Sequence, residues 1–287
     1  MSKTERRYMV DFYCLTQNGI RGTTYLKDYL KSHLNGHASA VSLDPGSPEK
    51  YQIRSIEASA NEKVFKAVFG RCRYGETPEQ TSTDGHESDV ELKPDHALVE
   101  KNHFLFFVEL NLIVYQRNAS AGSHSKLQKY FNSPRFLGIN LEPVLTEDSY
   151  EKIMRGGPLK KIEVSIMKPN FTLDPEEQFV QEAIDMFATA GAGSMKVTLS
   201  ADRGRSLTEV MRTSVTTLAR FGKTRIARVH LLDDNDQTEV VDLIGDRIKQ
   251  PMTIPLGLNG RPTANDVYAG LAQAKDERSE DLQAFFG

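Results

Sequence analysis

Hydrophobic and polar positions change period several times along the chain, and each change marks an element. Over 8–15, Tyr8, Val10, Phe12 and Cys14 alternate with Met9, Asp11 and Tyr13, the period-two pattern of a strand. Asn18-Gly19 marks a turn. Thr23 or Thr24 is placed to cap a helix whose apolar positions, Leu26, Tyr29, Leu30 and Leu34, recur at helical spacing until Asn35-Gly36 stops it. After a Pro- and Gly-containing loop over 42–48, strands are predicted over 51–58 and 63–74. The polar stretch GETPEQTSTDGHES, 75–88, has almost no aliphatic residue and predicts a disordered or mobile loop. The run HFLFFVELNLIVYQRN follows as two apolar segments with a tight turn at Glu109–Asn111, a hairpin. Ser123 opens a short helix with Leu127, Tyr130 and Phe131 on one face.

The second half begins with strands predicted over 136–145 and 159–167. The latter sets Leu159, Lys161 and Glu163 against Lys160, Ile162, Val164 and Ile166, one charged and one apolar face. Asp174-Pro175 reads as an N-cap with proline at the first helical position, and Phe179, Val180, Ile184 and Phe187 form that helix's stripe. AGAGS stops it. A strand over 195–199, a helix over 207–221, strands over 225–232 and 239–244 around the acidic turn Asp233–Asp236, and a terminal helix over 266–286 complete the pattern. Strands and helices mix without regular βαβ alternation, and antiparallel hairpins recur, so the predicted class is α+β. The expected division is an N-terminal α+β domain, 1–145, and a C-terminal α+β domain, 146–287.

At 287 residues, 39% hydrophobic and 26% charged, the chain has the composition of a folded globular protein. No apolar run reaches the roughly 20 residues of a membrane span, and the charged start lacks a signal-peptide core, which leads to an expectation of cytoplasmic residence. Cys14 and Cys72 are far apart and outside any C-x-x-C pattern, which points to buried thiols rather than a disulfide or zinc site.

Catalytic motifs are sparse. AGAGSMK runs from a helix through glycines into a strand, the reverse of a phosphate loop, where a strand leads through glycines to the helix amides that meet the anion. Glu91-Leu92-Lys93 has the Glu-x-Lys half of a metal-dependent nuclease, but it abuts Pro94 and follows the loosest loop of the chain. The Asp233–Asp236 run lacks EF-hand spacing. No H-E-x-x-H pair or G-x-S-x-G elbow occurs. No catalytic residue, metal site or cofactor is expected.

Charge segregation is the one feature above background. The net charge is −3, yet between Lys196 and Arg228 eight basic residues (Lys196, Arg203, Arg205, Arg212, Arg220, Lys223, Arg225 and Arg228) face only Asp202 and Glu209. Arginine dominates, and its planar fork suits phosphate oxygens. A second basic stretch runs from Arg117 to Arg135, and a third is Lys160-Lys161 beside Arg155. The candidate DNA-binding set is therefore Arg203, Arg205, Arg212, Arg220, Lys223, Arg225, Arg228, Lys160 and Lys161. Solvated faces balanced by the acidic turn are the alternative reading.

The order of segments carries a resemblance that runs nearly end to end. It comprises YMVDFYCL, TTYLKDYLKSHL, FLFFVELNLIVYQRN, SKLQKYF, LEPVLTED, KKIEVSIMKP and ARVHLLDDNDQTEVVDLI. In these the chain resembles the RexA-like prophage exclusion proteins, and the same outline is similar to KwaB of the Kiwa defence system. The resemblance implies an α+β fold, a homodimer, and binding of double-stranded DNA largely without sequence preference. It also implies a small membrane-protein partner encoded nearby and a role in phage exclusion or anti-phage defence. Two alternatives stand beside it: a metal-dependent nuclease using Glu91 and Lys93, and a protein-interaction component that does not bind nucleic acid.

Overall fold

The first sheet grows outward from β1 (Glu5–Gln17). On one side β1 pairs antiparallel with β8 (Leu112–Arg117), Met9 opposite Arg117 and Cys14 opposite Leu112. On the other it pairs with β14 (Lys249–Pro255), Glu5 opposite Pro255 and Asp11 opposite Lys249. From β8 the sheet continues antiparallel through β7 (Leu98–Phe107) and β4 (Val64–Arg73) to β3 (Glu49–Ala58). The short strands β2 (Ile20–Arg21) and β9 (Ile139–Pro143) also pair with β1. The computed structural model describes residues 4–17, 20–21, 24–74, 79–93, 96–133, 138–146, 148–149, 152–153, 157–167, 182, 185–186, 189–220, 224–232, 237–258 and 260–286. Its α+β class, with antiparallel sheets and helices of both short and medium length, is the one the patterning predicts.

Period two decides which face each residue serves. Tyr13, Leu15, Phe65, Ala67, Phe69, Phe104, Phe106, Ile113 and Tyr115 share one buried face with Leu26 and Leu30 of α1 (Tyr25–Lys31) and Leu127, Tyr130 and Phe131 of α2 (His124–Phe131). In β3 the register slips between Arg54 and Glu57, and Ser55 takes a φ of 49°. This bulge restores parity, so that Ile53 and Ile56, three apart, are both fully buried on that face. The opposite face receives α4 (Ala264–Asp276), which packs on β7, β8 and β14. The approach is close: a Cβ added at Gly270 would lie 2.6 Å from Ile254 Cδ1. Thr263 caps α4, accepting from the Asp266 amide at 3.2 Å and donating to its carboxylate at 2.6 Å.

By its contacts the chain divides into two units, 1–142 with 249–278, and 143–248 with 279–287. The second has its own sheet, in the order β11 (Ser194–Ser200), β10 (Leu159–Met167), β12 (Thr224–Leu232), β13 (Thr238–Asp242), antiparallel throughout. Helix α3 (Glu209–Arg220) packs on β10 and β12, and Val215 joins Ile162, Val164, Ala227, Val229, Leu231 and Val241 in the core. The last helix, α5 (Ser279–Phe286), belongs to this unit.

Three local expectations change. The chain over 79–89 is not without regular structure: β5 (Glu79–Thr81) and β6 (Glu87–Asp89) pair as a wholly exposed ribbon, held by local bonds around Ser82 rather than by burial. The terminal helix is two helices, parted at 277–278. Strand β14 has no counterpart in the pattern, because Pro251 and Pro255 interrupt it; it lies at the sheet edge, where strand prolines are tolerated. The helix expected after Asp174-Pro175 lies largely outside the described residues, as does the acidic turn over 233–236.

Candidate nucleic-acid interface

The second sheet has one face packed on α3 and one, open among the described residues, turned away from it, and β10 shows why. Ile162, Val164 and Ile166 turn to the core, while Lys161, Glu163 and Ser165 turn away. Register extends the open face to Lys196, Thr198 and Ser200 of β11, to Arg228 and His230 of β12, and to Val240 and Asp242 of β13. At the start of β10 the pairing with β12 slips between Leu159 and Lys161, which leaves Lys160 as the extra residue of a bulge.

The loop after β11 is bound back along this bulge. Ala201 N donates to the Lys160 carbonyl at 2.8 Å and Leu207 N to the Leu159 carbonyl at 2.7 Å, while the Leu159 amide donates to Ser206 Oγ at 2.9 Å. Between these anchors the Arg205 amide closes a turn on the Asp202 carbonyl at 2.9 Å, and Gly204 supplies the φ of 78° it needs. Arg203 and Arg205 therefore stand exposed on either side of Gly204, without an ion pair to any described residue. The Lys160 ammonium donates to the Arg205 carbonyl, drawing a third cation to the same corner. Lys196, exposed on β11 opposite Ser165, adds another positive charge to the open face.

The remaining predicted residues have other partners. Lys161 pairs with Glu163, whose carboxyl it holds below the usual carboxylate range, helped by the nearby charges of His230 and Lys196. The His230 Nε2 lies 3.6 Å from the same carboxylate. Arg228 donates through Nε to Asp242 at 2.9 Å. Burial pushes the Asp242 carboxyl up, but the Gly245 amide, Arg228 and the Ile244 amide together bring it below its ordinary value. Arg212 is a structural clamp: its two terminal nitrogens donate to the carbonyls of Ile153 and Gly157 at 3.0 and 3.1 Å, and only 13% of its side chain is exposed. Arg220 ends α3 and Arg225 lies on β12, but their side chains are outside the described residues, as is Lys223 altogether.

The second basic stretch is neutralised in its described residues. Arg117 Nε donates to Asp11 at 2.7 Å, and Lys126 and Lys129 share Asp44, whose carboxyl their hydrogen bonds hold low. Arg135 and Arg155 lie outside the described residues. Glu91 and Lys93 sit exposed on the coil between β6 and β7, and no cluster of three metal-ligating side chains forms among the described residues. Gly191, in AGAGS, takes a φ of 61° and leads into β11, with nothing near its would-be Cβ.

An exposed turn carrying Arg203 and Arg205, with the half-buried Lys160 bonded to it, is thus what the geometry defines on the second unit's sheet. Residues 43–280 match the family of unknown function DUF6731, and the chain belongs to that family. No curated protein matches the chain. Among the described residues no helix is long and apolar enough to cross a membrane.

Proposed function

We propose that this protein binds double-stranded DNA through its phosphates, with little dependence on sequence and without catalysis. We place it in phage exclusion or anti-phage defence, as a cytoplasmic homodimer with a small membrane-protein partner. The observation that carries the DNA reading is the corner formed by Lys160, Arg203 and Arg205, none of which is ion-paired with a described residue. Arginines flanking a tight turn present planar forks to phosphate oxygens. No base-reading element accompanies them among the described residues, which supports a contact that positions a backbone rather than reads bases. The phage-related role rests on the segment order that resembles the RexA-like proteins.

The test is a mobility shift with two duplexes of unrelated sequence. Retardation of both with similar affinity is expected. Strong preference for one of them, or no retardation at low salt, refutes the reading. Deleting a small membrane-protein gene beside this one tests the exclusion role separately; protection against phage should fall.

A further inference from the structure

A second cationic surface lies in the first unit, and linear charge counting does not see it. Cross-strand partners share a face. On β3, β4 and β7 the registers align Lys50 with Cys72 and Val99, Gln52 with Gly70 and Lys101, Arg54 with Val68 and His103, and Glu57 with Lys66 and Leu105. This is the face away from Phe65, Phe69 and Phe104. It carries Lys50, Arg54, Lys66 and Lys101 against a single carboxylate, Glu57, at one end. None of the four cations is ion-paired with a described residue, whereas Arg71 and Arg117 in the same unit are. The Lys101 charge is felt locally: it adds to the burial that pushes the neighbouring His103 imidazole below its ordinary pKa.

Helix α4 borders this surface, with Tyr268 edge-on to His103 at 5.3 Å between centroids, and Val68, Gly70 and Cys72 form its floor. Gly70 is buried, and the Arg54 Cδ lies 3.4 Å from where a Gly70 Cβ would stand, so the half-buried arginine stem roofs the glycine, with the guanidinium beside the Cys72 thiol. Lys50 and Lys101 are exposed. Lys50 and Arg54 are four residues apart on one strand, about 13 Å, and β3 and β7 are two strand spacings apart, about 10 Å. Duplex DNA carries one charge per ~1.7 Å of axis, so ~13 Å presents roughly eight phosphates, about half of them on the near side. Lys50, Arg54 and Lys101 lie within this span, three cations against about four near-side phosphates, and Lys66 stands one row further along β4. Unpaired bases would need a free ring to stack on, but the two rings here already carry ammonium groups, Lys50 5.2 Å from the Tyr74 centroid and Lys66 5.5 Å from that of Tyr268.

We propose that this face of β3, β4 and β7 is a second docking surface for the phosphate backbone of duplex DNA. The proposal rests on the DNA reading above and extends it to a different unit. Two exposed positions test it. In Lys50→Glu/Lys101→Glu, the slope of log affinity against log salt for a random 25-base-pair duplex should fall by about 1.8, so a fourfold rise in salt costs about 12-fold less affinity than in the parent. Reversing Lys27 and Lys31, on α1 across the sheet, should leave the slope alone. Lys50→Gln/Lys101→Gln, which introduces no new charge, should give the same loss of slope if the glutamate pair fails to fold. An unchanged slope in the folded variant, with the slope still sensitive to Arg203→Glu/Arg205→Glu, overturns this second surface and leaves the DNA reading standing. Failure of the parent to bind duplex removes both. Parent binding to phosphatidylserine vesicles but not to duplex, lost with Lys50 and Lys101, assigns the face to membranes and overturns the proposal.

Discussion

Arg212 separates a structural from a DNA-binding arginine. In Arg212→Ala two charge-assisted hydrogen bonds vanish, to Ile153 and Gly157 at 3.0 and 3.1 Å, and both carbonyls must find water. Bonds to charged groups contribute about 1.5–3 kcal/mol each. Taking the lower end for both bonds, the loss is about 3 kcal/mol. That is roughly a 150-fold change in the unfolding constant of the second unit. At a typical urea slope of about 2 kcal/mol/M it moves the midpoint by about 1.5 M. The Glu209 contact at 2.8 Å adds little, because Glu209 is largely exposed. Lysine, with no planar fork, cannot span both carbonyls, so Arg212→Lys should recover less than half of the loss. Urea melts paired with amide exchange on β10 and β12 report this locally. An Arg212→Ala protein within about 0.5 kcal/mol of the parent, with its DNA salt slope lower by about one unit, would show that Arg212 contacts phosphate and that the clamp is unimportant.

Other outcomes follow from the same geometry. Gly157→Ala would place a Cβ 1.9 Å from the Leu232 carbonyl oxygen, where the Leu232 amide is already bonded to Pro158 at 3.0 Å; a loss of about 2 kcal/mol in the thermal or urea midpoint is expected, and an unchanged midpoint refutes the close approach. Burial holds the His103 imidazole below its ordinary pKa, so the unfolded chain binds more protons below about pH 6.5. Its contribution to stability is therefore present above that pH and lost as pH falls. His103→Gln should lessen the drop in melting temperature between pH 7.5 and 5.5, and an identical drop argues against it. Glu91→Ala and Lys93→Ala should leave protection intact in a phage-plating assay, since both side chains are exposed on coil; loss of protection in folded protein would favour the nuclease alternative.

Period-two and helical spacing made most elements legible, because β1, β4, β7, β8 and β10 each put a continuous apolar stripe on one face. Where burial does not organise the chain, pattern is silent. The β5–β6 ribbon has no stripe, and β14 is interrupted by prolines. The Thr263 cap is local and readable, but the break at 277–278 interrupts an apolar pattern that itself continues into Leu282 and Phe285. A single cut near residue 145 does not describe a unit to which 249–278 returns. At the candidate site, clustering in sequence found Arg203 and Arg205 because they share one turn. It equally selected Arg212 and Arg228, whose partners at 153–157 and Asp242 come from other elements. Lys50, Arg54, Lys66 and Lys101 illustrate the converse: dispersed over three strands, they meet only through register.

The most direct test of the central claim is a fluorescence-anisotropy titration of a random-sequence duplex at 50, 100 and 200 mM salt, comparing the parent with Arg203→Glu/Arg205→Glu. Both arginines are exposed and without a described ion-pair partner, so stability should stay within about 0.5 kcal/mol. The account predicts a parent affinity that falls steeply with salt, and a variant weaker on every duplex with a slope reduced by about two units. A parent that binds with no salt dependence, or a folded variant with unchanged affinity and slope, would contradict it.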